Sequence, residues 1–332
     1  MIIFPGGLYH SGVARSGSQS IHLRVTEKAR YPHVLESFHY ADDRMAQMIR
    51  QNGQRIFLDS GAYSAFTQGV RISPRRYARF IRQHRDIIEI AANLDVIGKG
   101  SEQSSYRNLK TMQTLLQNDG LCHLIKPVHH LRDADYWLEK YLDEGHDFIC
   151  LGGLVPESTR IVRRWLDHIW SKFLTNADGT PKVKVHGFGL TTRELMFRYP
   201  FYSVDSTSWI TVSRFVGGVL MDFALEDGSI GDFKIGFSDR NPKRFEPNSW
   251  HYLSLPSTDR KKVDQRLVQL EAERIRDPEI EAAFDAELGV KMGFNPEALG
   301  QCYGLRDLLN LGYFERAMKR GASKFVKERR LP

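Results

Sequence analysis

Short apolar runs alternate with amphipathic stretches along most of the chain. Runs rich in β-branched and aromatic residues at 56–58, 87–94, 122–128, 148–151, 183–186 and 201–204 read as strands. Between them, 106–117, 134–144 and 158–173 read as amphipathic helices. Strand, helix, strand at this spacing implies parallel pairing through right-handed crossovers. Six such units, with further material at each end, suit an α/β fold of the (β/α)8 barrel type. An open doubly wound sheet fits less well: it gathers its site at one switch point, whereas acids and glycine turns here recur at many strand ends.

The texture changes later in the chain. Residues 176–181 form a turn cluster, and 222–250, rich in Gly, Asp, Asn and Pro, reads as an irregular insertion. From 258 the pattern becomes charged helix, with another helical piece over 296–319. The expected organisation is a barrel over 1–257 and a helical, basic extension over 258–332.

The apolar runs deliver acids at their carboxyl ends, where such barrels present catalytic groups. Ile56-Phe57-Leu58 leads to Asp59, Ala92-Asn93-Leu94 to Asp95, and Tyr202-Ser203-Val204 to Asp205. A single aspartate at such a place is more often a helix cap or turn former. Three together can divide a displacement at a sugar carbon: one as nucleophile, one as proton carrier, one reading a base edge. Two glycine turns, Gly152-Gly153-Leu154 and Gly187-Phe188-Gly189, also follow strands. Glycine there lets backbone groups approach a flat ligand closely. Neither turn has the spacing of a phosphate loop or dinucleotide fingerprint.

Charge adds a partner to this picture. The 332 residues carry a net charge of +7. Arg75, Arg76, Arg79 and Arg82 crowd one expected helix just after Asp59, and Lys319, Arg320, Lys324 and Lys327 crowd the C-terminus. Each patch alone reads as a solvated face; both together, beside base-handling chemistry, point to nucleic-acid phosphate. Cys122, Cys150 and Cys302 are too far apart in sequence for a disulfide framework or a zinc knuckle, so free thiols in a reducing cytoplasm are expected. No membrane-spanning run or signal peptide is visible, and no cofactor or metal is expected.

In their order, the acids and glycine turns resemble the tRNA-guanine transglycosylase superfamily, most closely its viral and bacterial branch, the 7-deazaguanine DNA transglycosylases. Asp59-Ser60-Gly61-Ala62-Tyr63 is similar to that family's Asp-Ser-Gly-Gly-Tyr/Phe element. Leu94-Asp95, Gly152-Gly153-Leu154, Gly187-Phe188-Gly189 and Val204-Asp205 follow in family order. The resemblance implies that Asp205 attacks the sugar C1′ and that Asp59 moves the proton between outgoing and incoming bases. It implies that Asp95 reads the base edge, held in the Ser60-Gly61 element, and that Tyr63 stacks on the base with His186 as second stacking residue. His129 falls where the family often has a base-contacting glutamine, and the backbone around Gly153 and Leu154 reads exocyclic groups. The partners implied are duplex DNA with its target guanine flipped out and a free 7-deazaguanine such as preQ0. Members acting on tRNA carry a three-cysteine zinc site after the nucleophile strand. Only Cys302 follows Asp205 here, which favours DNA over tRNA. The alternatives are a tRNA enzyme without zinc and a non-catalytic nucleic-acid-binding subunit. Oligomeric state is left open.

Overall fold

The computed structural model describes residues 1–9, 31–98, 100–190, 192–247, 249–274, 276, 278–320 and 324–325, the last two by backbone only. These fall into two compact units, residues 1–9 with 31–206, and residues 207–325.

The first unit is a closed ring of parallel strands. In chain order they are β1 (Ile2–Pro5), β2 (His33–Ser37), β3 (Arg55–Asp59), β4 (Ile88–Ala92), β5 (Ile125–Lys126 and Val128–His130), β6 (Phe148–Gly152), β7 (Lys184–Gly187) and β8 (Ser203–Ser206). Neighbours pair from β2 through β5 and from β5 through β8, and β1 pairs with β8. The last gap closes where Gly6 bridges Leu35 and the Gly7 N–H donates to the Leu35 carbonyl at 3.0 Å. Pro127 splits β5 because it has no N–H for the ladder; its carbonyl still accepts from the Cys150 N–H at 2.9 Å. This is a (β/α)8-type barrel. Its helices are α1 (Asp43–Gln51), α2 (Ala62–Thr67), α3 (Pro74–Gln83), α4 (Glu102–Leu116), α5 (Asp135–Asp143), α6 (Thr159–Ile169) and α7 (Arg193–Arg198).

Alternation along the strands decides which side chains fill the ring. Phe4, Leu35, Phe57, Ile90, Val128, Phe148 and Cys150 form its buried interior. Residues two positions further along the same strands reach the carboxyl-end mouth. They include Asp59 above Phe57 and His130 above Val128.

The second unit is built on an antiparallel hairpin, β9 (Gly218–Ala224) with β10 (Ile230–Gly236), and β11 (Lys324–Phe325) lies parallel to β10. Its helices are α8 (Ser208–Arg214), α9 (Ser257–Ala272), α10 (Pro278–Leu288), α11 (Pro296–Gln301) and α12 (Tyr303–Arg320). Val219, Met221, Phe233 and Ile235 of the hairpin share one core with Val263, Leu267, Leu305 and Leu309 of the helices. Asn310 ties α12 to the hairpin, accepting from the Leu220 N–H at 2.7 Å.

Three expectations change. The boundary lies at 206/207 rather than 257/258, because hairpin and helices bury one common core. Residues 222–250 are largely strand and ordered turn: Asp227-Gly228, with Gly228 at φ 77°, closes the hairpin. Residues 122–124 are a 3-10 turn, and the strand expected at 122–128 runs instead to His130.

Candidate active site

Asp205 lies inside β8, opposite Phe4 of β1, and is almost wholly buried. It is therefore neither helix cap nor turn former. The Gly189 N–H donates to its Oδ1 at 2.7 Å. The His186 ring has Nε2 3.5 Å from the same oxygen, a contact too long to hold the carboxylate firmly. On the other side of that ring, Nδ1 stands 2.9 Å from the Ser203 hydroxyl. A carboxylate only accepts, so the consistent arrangement has Ser203 donating to Nδ1 and the Nε2 proton facing Asp205. Burial lowers the His186 pKa, only partly opposed by Asp205, so this ring is neutral at neutral pH. No group among the described residues bonds Asp205 Oδ2.

Asp95 is held differently. The Ser60 hydroxyl donates to its Oδ1 at 2.7 Å, and His130 Nε2 donates to its Oδ2 at 2.9 Å. His130 in turn has its backbone N–H on Asp133 Oδ2 at 2.8 Å, with ring Nδ1 3.7 Å from that oxygen. Burial works against a charged ring here, but Asp133 and Asp95 outweigh it and raise its pKa to about 10. His130 is thus a cation between two carboxylates.

Asp59 ends β3, partly exposed, with the Gly61 N–H donating to its Oδ2 at 3.0 Å. The charges of all three acids are felt at one interior position. Burial pushes the Cys150 thiol pKa well up, and the negative charges of Asp95, Asp59 and Asp205 push it further. Tyr77 braces the sheet beneath them, its hydroxyl donating to the Ala92 carbonyl at 2.8 Å with that of Leu58 at 3.2 Å.

The other expected residues separate. Tyr63 stands exposed on α2, free to meet a ligand. His129 does not reach the mouth. Parity along β5 turns it outward, where it is fully buried and stacked on Trp165 with ring centroids 6.0 Å apart. Neither of its ring nitrogens finds a hydrogen-bond partner, and burial lowers its pKa to about 4. His130, rather than His129, is the histidine that reaches the acids. His186 cannot stack on a base: it is enclosed by Phe57, Phe188 and Phe4, the nearest ring centroid at 4.4 Å. Gly152 serves to admit His130, since a Cβ there would lie 2.6 Å from that ring. Gly187 meets Phe201 and Leu190 in the same way, and Gly189 orients Asp205 through its N–H. Gly153 is exposed backbone at φ 70°, and Leu154 is buried beside it.

Among the expected phosphate contacts, Arg75, Arg76 and Arg79 are exposed. Arg82 is committed to Asp119 at 2.8 Å and to the Leu115 carbonyl. Arg320 joins Arg266 and Arg316 around Asp222, and Lys319 pairs with Glu315 at 2.8 Å. The Lys324 side chain and all of Lys327 lie outside the described residues. His130, Asp133 and Ser203 were missed. Counting alternate positions from an inward Val128 finds His130 only once the strand is known to run through residue 130.

No protein-family model and no curated protein matches the chain. Among solved structures, a native KDPGal structure aligns at TM-score 0.35 and 9% identity, covering 63% of this chain and 82% of that one. A putative lyase/mutase from Burkholderia cenocepacia J2315 aligns at TM-score 0.41 and 11% identity, covering 65% and 79%. A protein from Aquifex aeolicus VF5 aligns at 0.39 and 7%, covering 64% and 85%. Alignments this weak carry no argument, and the barrel rests on the strand pairing itself. Among the described residues no helix is long and apolar enough to cross a membrane, and no cluster of three potential ligands is placed to hold a metal ion.

Proposed function

We propose that the protein is a guanine transglycosylase that exchanges guanine in DNA for a free 7-deazaguanine base. The supporting observation is that Asp59, Asp95 and Asp205 all stand at the carboxyl-end mouth of one barrel, in the family's order, with Asp95 bonded to Ser60 next to Asp59. Asp205 Oδ2 attacks C1′ as the C1′–N9 bond breaks, its electron pair leaving with guanine while Asp59 supplies a proton. The covalent sugar ester is then displaced by the ring nitrogen of the incoming base, whose proton returns to Asp59. Two displacements retain the anomeric configuration.

The carboxylates differ in the way these roles require. Asp205 keeps one oxygen unbonded for attack. Asp95 is fixed through both oxygens, yet each carboxylate oxygen can accept a second bond, so it can still receive a purine N–H. Tyr63 lies on the first helix after Asp59, in reach of a base that has left its stack.

The test is label exchange: purified protein with radiolabelled guanine or preQ0, offered duplex DNA, single-stranded DNA and tRNA. Label entering DNA supports the proposal. Label entering tRNA alone moves the substrate to RNA, and label in none of them overturns the proposal.

A further inference from the structure

The stretch between Asp59 and Asp86 contains six arginines and no acid. Elsewhere on the barrel Arg50, Arg132 and Arg198 pair with Asp86, Glu157 and Asp167. Within the stretch, Arg82 pairs with Asp119. Arg71, Arg75, Arg76 and Arg79 are all exposed, and among the described residues no carboxylate pairs with any of them.

Two of these cations are placed against the field of their own helix. Arg75 and Arg76 occupy the first turn of α3, which holds no acid and receives no side-chain cap. A cation at the positive end of a helix is unfavourable. An anion bound across this turn would remove that penalty. Helix N-termini lie at the carboxyl ends of barrel strands, so these arginines stand on the rim that carries the acids.

The same rim exposes aromatic faces. Tyr63 is 60% and Phe66 61% exposed. Three residues apart on α2, they share one side of that helix. The helix is anchored rather than loose: Ala65 is buried, and Gln68 bonds His39 at 3.0 Å and the Tyr40 hydroxyl at 3.2 Å. Two aromatic faces on the helix after Asp59, followed by guanidinium groups that no described carboxylate pairs, match successive unstacked bases and their phosphates.

We infer that Tyr63, Phe66, Arg71, Arg75 and Arg76 form a docking surface for a single-stranded DNA segment. Bases stack on the two rings while the arginines hold the backbone. The inference rests on the proposed base exchange only in that the docked strand delivers its base to the acids. The target strand then reaches the enzyme already open, and Phe66 holds the base beside the one exchanged.

The test measures binding apart from chemistry. In the Asp205→Ala background, fluorescence anisotropy is recorded with a labelled 12-nucleotide DNA strand, the RNA strand of the same sequence, and the DNA duplex. Single strand should bind more tightly than duplex. Phe66→Ala should weaken single-strand binding about 5- to 100-fold and Phe66→Tyr should restore it. Arg75→Ala with Arg76→Ala should lower the slope of log affinity against log salt by about 1.4. Binding of the DNA strand supports the surface, and binding of the RNA strand alone overturns it. Affinity and salt slope that ignore all these variants overturn it. So does binding to phosphatidylserine vesicles with none to the oligonucleotides. Loss of exchange in wild type with this binding intact would strike the reaction and leave the surface standing.

Discussion

Two histidine–aspartate pairs stand at the barrel mouth, and they are opposites. His130 meets Asp95 at 2.9 Å, has a second carboxylate behind it, and stays protonated. His186 meets Asp205 at 3.5 Å, is enclosed by phenylalanine rings, and stays neutral. The difference follows from what surrounds each ring. Two carboxylates overcome the cost of burying a cation, whereas one distant carboxylate in an aromatic box does not. The consequence passes to the aspartates. Asp95 is neutralised and bonded through both oxygens, which suits recognition. Among the described residues, Asp205 has no cation beside it and keeps one oxygen unbonded, which suits attack on a carbon that becomes positive.

The strongest way to break this contrast is Asp205→Ala. Loss of a nucleophile should reduce base exchange by about 10⁴-fold or more. The fold should survive, because the side chain holds little beyond the Gly189 N–H. Single-turnover exchange and the thermal transition check both halves, and near-normal exchange would falsify the division of roles.

His130→Ala attacks the other pair and should act first on stability. It leaves Asp95 buried without its cation, at a cost of roughly 3–5 kcal/mol. His130→Gln, which keeps a donor, should recover part of this in urea denaturation. Proton linkage gives a second readout. The His130 pKa is raised on folding, to about 10, so its contribution is complete below about 6.5 and is lost as pH rises toward 10. His130→Gln should flatten the alkaline limb of the stability profile relative to wild type. An unchanged limb would mean the ring is not held charged.

His129 supplies the reverse sign and a smaller effect. Its pKa is lowered on folding, to about 4, so its contribution is present above about 6.5 and lost as pH falls toward 4. Both ring nitrogens are buried without hydrogen-bond partners, and the Asp133 carboxylate comes only to 3.8 Å from Nδ1. His129→Leu should therefore be neutral or stabilising by about 1 kcal/mol at neutral pH, and should flatten the acid limb. Destabilisation of several kcal/mol would mean that His129 has a polar role on this face.

His129 also marks where the sequence stops being legible. The order of strands and the positions of Asp59, Asp95 and Asp205 follow from apolar runs ending in acids, a pattern that survives small errors in strand ends. Side-chain direction does not survive them. With the β5 strand placed at 122–128, His129 and His130 both lie beyond its end and cannot be told apart. The observed strand runs through both and sends them to opposite faces. The short β1 and β2 strands gave no separate signal. Pairing of Asp222 with Arg266, Arg316 and Arg320 joins segments too far apart in sequence for local pattern to reveal.

The finest probe of the contrast is Ser203, which touches neither aspartate. Its hydroxyl at 2.9 Å from His186 Nδ1 fixes which nitrogen carries the proton. In Ser203→Ala, Nδ1 loses its donor, and the ring can populate the form with a lone pair on Nε2, facing Asp205. That form repels the carboxylate instead of steadying it. The expected loss is about 1 kcal/mol of stability and about tenfold in kcat, with KM nearly unchanged because base recognition runs through Asp95. Nitrogen-15 chemical shifts of the ring should show the tautomer change directly. A kcat loss without that spectral change would mean Ser203 acts by packing alone. A KM effect in place of a kcat effect would mean that the two pairs are not separate in function.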